Sequence, residues 1–369
     1  MAIDRVNIRN FKSIKNSGDI SIKPINILIG ANGVGKSNFI SFFKMLNSIS
    51  KKRLAFYVAE NGYENSLLHF GRKKSQFLEG NIVFKSEDND KMNCYNFKLV
   101  PKSHSSGFYF EKDEGGFNPF YESENGTWVF ENLGGAGTDE SGLSDNETGR
   151  VKLLKGFFES FNVFHFHDTS SNSSLKQPNK TLDYKYLKPD GSNLASFLYK
   201  IKDTHPNHFK MIEYSISSVA PFFEKFDLSP DDKNPDVIFL KWLERGSDEY
   251  FNAHHLSDGT LRFIALATLL LQPVLPNTII LDEPELGLHP FAISKLAGMI
   301  KKASVNSQII IATQSVNLIN EFSADDIIIT NREDNHTVFE RLSEESLKIW
   351  LEDYSIGQLW EKNVIGGRL

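Results

Sequence analysis

The sequence predicts an α/β protein with a largely parallel main sheet and a separate antiparallel, β-rich part. Three observations lead there. From Leu256 to Thr330, apolar strands and amphipathic helices alternate, the pattern that gives parallel strands covered by helices. Ile25–Ile29 is a short apolar run that passes through Gly30–Ser37 straight into a helix-periodic segment marked by Phe39, Ile40, Phe42 and Phe43. Between 77 and 130, the segments FLEGNIVF, NCYNFKLV, GFYFEK and GTWVFEN are spaced like antiparallel strands with polar turns.

Composition narrows the class. A chain of 369 residues, 40% hydrophobic and 24% charged, can bury a large core and is not expected to be disordered. Its 30 phenylalanines point to a Phe-rich interior. A net charge of −6 argues against a broadly basic nucleic-acid coat but leaves room for a local basic groove. The lone cysteine, Cys94, excludes an intramolecular disulfide framework and thiolate zinc clusters, and fits a reducing, cytoplasmic setting. The N-terminus lacks a signal-peptide core, and the longest apolar run, Phe263–Leu271, falls far short of the roughly 20 residues that span a bilayer, so no membrane association is expected.

Taken in order, Ile3, Val6, Ile8 and Phe11 mark a first strand, and Ser17-Gly18-Asp19 turns into a second over 20–29. Lys51-Lys52-Arg53 and Arg72-Lys73-Lys74 read as solvated loops. Residues 132–150, rich in glycine and acidic side chains, are expected to form a mobile surface loop. A short helix over 151–161 leads to a strand over 162–168, which would carry His165 and His167 on one face with Asp168 just beyond. After a polar loop at 170–180, helical periodicity runs through Leu194, Phe197, Leu198 and Ile201 and then Met211, Ile212 and Ile216. A strand-like VIFLKW follows. The closing alternation places helices at 260–271, 291–303 and 316–322 and strands at 278–281, 308–312 and 326–330. Neither an internal repeat nor a coiled-coil heptad run is found.

Two stretches carry recognisable chemistry. Gly30-Ala-Asn-Gly-Val-Gly35-Lys36-Ser37, between strand and helix, has the context of a phosphate-binding loop. Glycines let backbone N–H groups curl around phosphates, and the helix N-terminus adds a favourable dipole. Lys36 would reach the β- and γ-phosphates and Ser37 would ligate Mg²⁺. The strand TIILD282-Glu283 ends in paired carboxylates, suited to a Walker B element: Asp282 for Mg²⁺, Glu283 as the base that activates water.

His255-Leu-Ser257-Asp258-Gly259-Thr260-Leu-Arg262, ahead of an apolar helix, resembles the LSGGQ-type signature of ATP-binding-cassette ATPases, with Asp258 in place of the first glycine. DEPELGLHP, with Glu285–His289 at the D-loop position, resembles the RecF, SMC and OLD branch. The resemblance covers residues 1–50 and 250–330 well and the middle loosely. It implies an ABC-ATPase-type P-loop fold over 1–369, with a mixed, largely parallel core sheet, an antiparallel β subdomain and an inserted helical lobe. Its parts would be a P-loop part (1–50), a β-rich part (51–165) with the mobile loop 132–150, a helical insertion (166–255) and a core part (256–369). It implies ATP and Mg²⁺ as cofactors, with Asn32, Gly33, Val34, Gly35, Lys36, Ser37 and Asn38 around the phosphates. Ser37 and Asp282 would hold the metal and Glu283 would be catalytic. Ser257 and Gly259 would complete the site in trans, giving a homodimer, or a higher assembly, that sandwiches two ATP molecules.

Gln314 is a departure, standing where many members carry a histidine that contacts the γ-phosphate. An amide donates a hydrogen bond but cannot become a cation, so slow hydrolysis is expected. For His165, His167 and Asp168 three roles stay open: metal binding, coupling near the nucleotide, and plain structure. Gln177 is a weak candidate for the family's Q-loop.

Several functions fit. The first is a stand-alone RecF/OLD-like ATPase whose ATP-driven dimerisation controls a separate effector, such as a TOPRIM-like nuclease, in anti-phage defence. In that reading the segment after Gln314 is expected to be too short for an appended nuclease domain, Asp325-Asp326 starts a strand, and Trp360 is either a docking handle or part of a packed tail helix. The second is a DNA-repair clamp of RecF or SMC character that binds DNA directly. The third is a scaffold that binds ATP with negligible hydrolysis. A transporter ATPase fits least.

Overall fold

The computed structural model describes residues 2–85, 91–118, 127–145 and 149–367. It divides into two compact units, one of Met1–Val163, Asn277–Ile280 and Ser323–Leu369, the other of Phe164–Pro276 and Leu281–Phe322. Among the described residues no helix is long and apolar enough to cross a membrane.

In the first unit the alternating segments form one antiparallel sheet. Its strands run in the order Ile14–Asn16, Ala2–Phe11, Leu78–Lys85, Met92–Pro101, Phe108–Asn118 and Val129–Asn132. Register Ile82↔Tyr95 and Gly80↔Phe97 puts large apolar side chains on a single face, as the two-residue repeat of a strand requires. That face meets the P-loop helix, Lys36–Ser50, and the helix Gly149–Glu159 through aromatic contacts such as Phe97 with Phe42 and Phe84 with Phe158. Most of the described phenylalanines are buried, as their number suggested, while Phe56, Phe70, Phe130, Phe222 and Phe291 are exposed. A parallel ladder joins Ile25–Ile29 to Ile327–Glu333 (Leu28↔Ile328), and the latter pairs antiparallel with His336–Arg341.

The strand expected over 20–29 is broken in two, Ile20–Ser21 and Ile25–Ile29. Pro24 lacks an N–H for a ladder, and the Asn26 amide closes a turn by accepting from Lys23 N–H and donating to Lys23 C=O. The stretch expected to be a mobile loop is tied down over 132–145, while 146–148 lie outside the described residues. Buried Asp113 accepts from the Tyr95 hydroxyl (2.8 Å), Ser141 Oγ (2.8 Å) and the Gly135 and Gly142 amides. Glu140 accepts from the Leu54 and Ala55 amides, the orphan donors at the start of the helix Leu54–Glu60.

The second unit holds the helices Leu194–Thr204 and Pro206–Val219, the latter opened by a proline in the first turn. A small antiparallel sheet, Phe223–Asp227, Lys241–Glu244 and Tyr250–Asn252, follows. Then come the helix Asp258–Leu271, the end of the strand Thr278–Asp282, the helix Pro290–Ala303, the strand Gln308–Thr313 and the short helix Val316–Ile319. That last helix stops before the expected 322.

Candidate functional site

In the first unit, Ile25–Ile29 delivers the chain to the loop Gly30–Ser37 and the helix that starts at Lys36. Two glycines there are sterically required. A side chain on Gly30 would collide with the Thr330 carbonyl, and one on Gly35 (φ +120°) with the Thr337 and Ser13 hydroxyls. Those hydroxyls form a polar brace: Ser13 Oγ to Thr337 Oγ1 at 2.6 Å, Thr337 Oγ1 donating to Val34 C=O at 2.7 Å, and Asn38 Nδ2 donating to Ser13 Oγ at 2.7 Å. Thr337 was not anticipated; it lies on a distant strand with no motif around it. The tail also reaches this loop, since Ala31 N–H donates to the Gly367 carbonyl at 2.7 Å.

Lys36 is buried at 6% exposure, and its Nζ donates to the carbonyls of Gly30 (2.6 Å) and Ala31 (3.0 Å). The first turn of its helix carries no acidic side chain that would oppose an anion at the helix start. Asn32, Gly33 and Ser37 are exposed, Asn38 is half-buried, and Val34 is buried beneath them. Such a cradle can receive a phosphate chain, and the Ser37 hydroxyl is a hard oxygen donor of the type Mg²⁺ prefers.

In the second unit, Asp282 ends its strand and Glu283 follows with φ +44°, a left-handed conformation unusual for a side-chain-bearing residue. The Glu283 N–H donates to Ala312 C=O at 2.8 Å, and Glu283 Oε1 accepts from Gln314 Nε2 at 3.1 Å. The expected base and the expected γ-phosphate sensor are therefore direct hydrogen-bond partners. The Asp282 carboxylate is a hard oxygen donor by its chemistry.

The signature serine caps a helix. Ser257 Oγ accepts from Thr260 N–H at 3.2 Å at the start of Asp258–Leu271. Gly259 lies against the D-loop turn, where an added methyl would sit 2.5 Å from the Gly287 carbonyl oxygen. Asp258, the departure from the signature, faces Lys176 at 3.7 Å. Arg262 joins two segments through its guanidinium, donating to Leu286 C=O and His167 C=O, both at 2.7 Å. Sequence reasoning passed over Arg262, although its place in LSDGTLR was on view.

Other expectations are corrected. The strand carrying the histidines is only Asn162–Phe164, so His165 and His167 are not on a strand face. His165 N–H instead bonds to Pro189 C=O. Among the described residues no group of three or more His, Cys, Asp or Glu is placed to hold a metal ion. Gln177 is exposed, and its amide reaches no further than Ser171 C=O at 3.5 Å. Asp325-Asp326 lies in the single turn Ala324–Asp326, where Asp326 caps against Ser323 and Asp325 accepts from Glu344 N–H. Of the two roles open to Trp360 the packed tail helix is the one observed, since it is buried at 4% exposure in Ile356–Glu361 and is no exposed docking handle.

With the geometry in place, comparisons add the family. Two solved structures share the fold at 17% identity. One is an SmcHead bound to the C-winged helix domain of ScpA, with TM-score 0.59 over 94% of this chain and 100% of that one. The other is an Smc head domain with an extended coiled coil bound to the C-terminal domain of ScpA, derived from Pyrococcus furiosus, with TM-score 0.57 over 95% and 99%. Among curated proteins, the probable ABC transporter ATP-binding protein p29 of Mesomycoplasma hyorhinis is 29% identical over 197 residues, 52% of this chain and 75% of that protein. ABC transporter A family member 11 of Dictyostelium discoideum is 38% identical over 66 residues, 18% of this chain and 8% of that protein. Residues 25–320 match the family described as "AAA domain, putative AbiEii toxin, Type IV TA system". The chain belongs to that family, and its fold is the one shared by the two Smc heads.

Proposed function

We propose that this protein binds ATP with Mg²⁺ on the Gly30–Ser37 loop, hydrolyses it slowly, and uses the cycle to close two copies around two nucleotides and so control a separate effector, in anti-phage defence. The observation that carries the nucleotide reading is Lys36, a buried ammonium at a helix N-terminus held only 2.6 Å from the Gly30 carbonyl, within the loop it would share with a phosphate. Asn32, Gly33, Val34, Gly35 and Asn38 line that loop, and Ser37 and Asp282 supply oxygens for the metal. Bound Mg²⁺ would neutralise charge on the phosphates. Glu283 orients and deprotonates the attacking water; Gln314 holds Glu283 and senses the γ-phosphate. Ser257 and Gly259 face the nucleotide of the second copy, a role their exposed helix start supports.

The experiment is a matched set of variants. Lys36→Ala should lose ATP binding in equilibrium dialysis. Glu283→Gln should retain ATP and double its mass by light scattering, while phosphate release falls by roughly a hundredfold or more. A Glu283→Gln protein that stays monomeric with ATP and Mg²⁺ overturns the paired-copy scheme. Gln314→His should raise turnover; unchanged turnover removes the reason given for slow hydrolysis.

A further inference from the structure

No step assigned above uses the carboxyl of Glu285, the first residue of the D-loop segment. Its Oε1 accepts a hydrogen bond from Thr313 Oγ1, at the end of the strand Gln308–Thr313, and Thr313 is fully buried. Thr313 Oγ1 in turn accepts from Ser315 N–H at 2.9 Å, on the far side of Gln314. The other carboxyl oxygen, Oε2, is buried without a hydrogen-bond partner among the described residues. A D-loop carboxylate with only a solvation role would turn that oxygen to water, so the side chain is held inward against its own hydration preference.

We propose that Glu285 is a positioning residue for hydrolysis: by gripping Thr313 it fixes the turn 313–315 and thereby sets Gln314 against Glu283. The contacts form one chain, from Glu285 to Thr313, from Thr313 to Ser315, and from Gln314 between them to Glu283 Oε1 at 3.1 Å. Burial pushes the Glu285 carboxyl above its ordinary range, the Thr313 hydroxyl and the Glu285 and Gln314 amides draw it back, and the nearby Glu283 charge pushes it up again. A group surrounded by the residues it would position is consistent with that role. The inference rests on the hydrolysis reading for its catalytic consequence but not for its structural one.

The full chain tests both. Amide hydrogen exchange without nucleotide reads the turn directly: Glu285→Ala should speed exchange over 313–316 by about tenfold or more, and Glu285→Gln, which keeps an accepting oxygen, by less than about threefold. Thr313→Val, which removes the donor, should reproduce the alanine result and serves if Glu285→Ala fails to fold. In steady-state phosphate release, Glu285→Ala should lower kcat about tenfold with KM within about twofold, and should add no further loss in a Gln314→Ala background. Unchanged exchange in both Glu285→Ala and Thr313→Val overturns the positioning role, as do losses that multiply in the double variant. A wild-type protein that releases no phosphate overturns the hydrolysis reading instead, and the exchange result then decides Glu285 alone.

Discussion

A methyl group on Gly259 would approach the Gly287 carbonyl oxygen to 2.5 Å, and neither partner of that contact is a flexible side-chain tip. Gly259→Ala should therefore force the helix start and the D-loop turn apart and cost about 1–3 kcal/mol in urea unfolding; an unchanged midpoint would show that the turn yields freely. Sequence reading singled out Gly259 from its signature pattern, but the physical need for it was invisible there, because Gly287 is brought to it only by folding. Cys94 gives the opposite case. It is 2% exposed, and burial pushes its thiol up to about 12. At pH 8, well below that value, the thiolate is scarce, so iodoacetamide should leave the native chain unlabelled and modify it fully in denaturant. Labelling of the native chain at rates typical of a free thiol would contradict both the burial and the shift.

At the scale of elements, alternation was readable where its signal is local. The segments at 77–130 became the expected strands, and the helix expected over 260–271 spans Asp258–Leu271. What failed was set by contacts from elsewhere in the chain. The glycine-rich stretch at 132–145 has too few apolar side chains to look anchored, yet Asp113, from the middle of a strand, receives a hydroxyl each from Tyr95 and Ser141 and two backbone amides from that stretch. Asp113→Ala should leave those donors buried and unpaired, costing about 2–5 kcal/mol and opening 132–145 to limited proteolysis. A cleavage pattern identical to wild type would mean that other contacts, such as Lys52 with Asp145 and Lys102 with Asp139, suffice. The strand predicted to carry His165 and His167 ended early for a similar reason: Pro189, outside any motif, takes the His165 N–H.

For the whole molecule, motif order in the sequence was enough to identify the family, whereas the division of the chain was not readable. Each unit is assembled from segments far apart in sequence, and the chain passes between them at 163–164, 276–277, 280–281 and 322–323. Neither unit is a continuous stretch, so unfolding one pulls directly on the ends of segments in the other. A single cooperative heat-absorption peak is expected on these grounds. ATP that binds the folded chain and not the unfolded one adds RT ln(1 + [L]/Kd), about 2.7 kcal/mol at a hundredfold excess over Kd. For a chain of this size that should raise Tm by roughly 3–4 °C. The shift should vanish in Lys36→Ala, whose buried ammonium is lost, and persist in Glu283→Gln, whose loop is intact. Two resolved peaks, of which ATP moves only one, would show that the units unfold independently despite their shared chain; no shift at all in the wild type would argue against nucleotide binding at Gly30–Ser37.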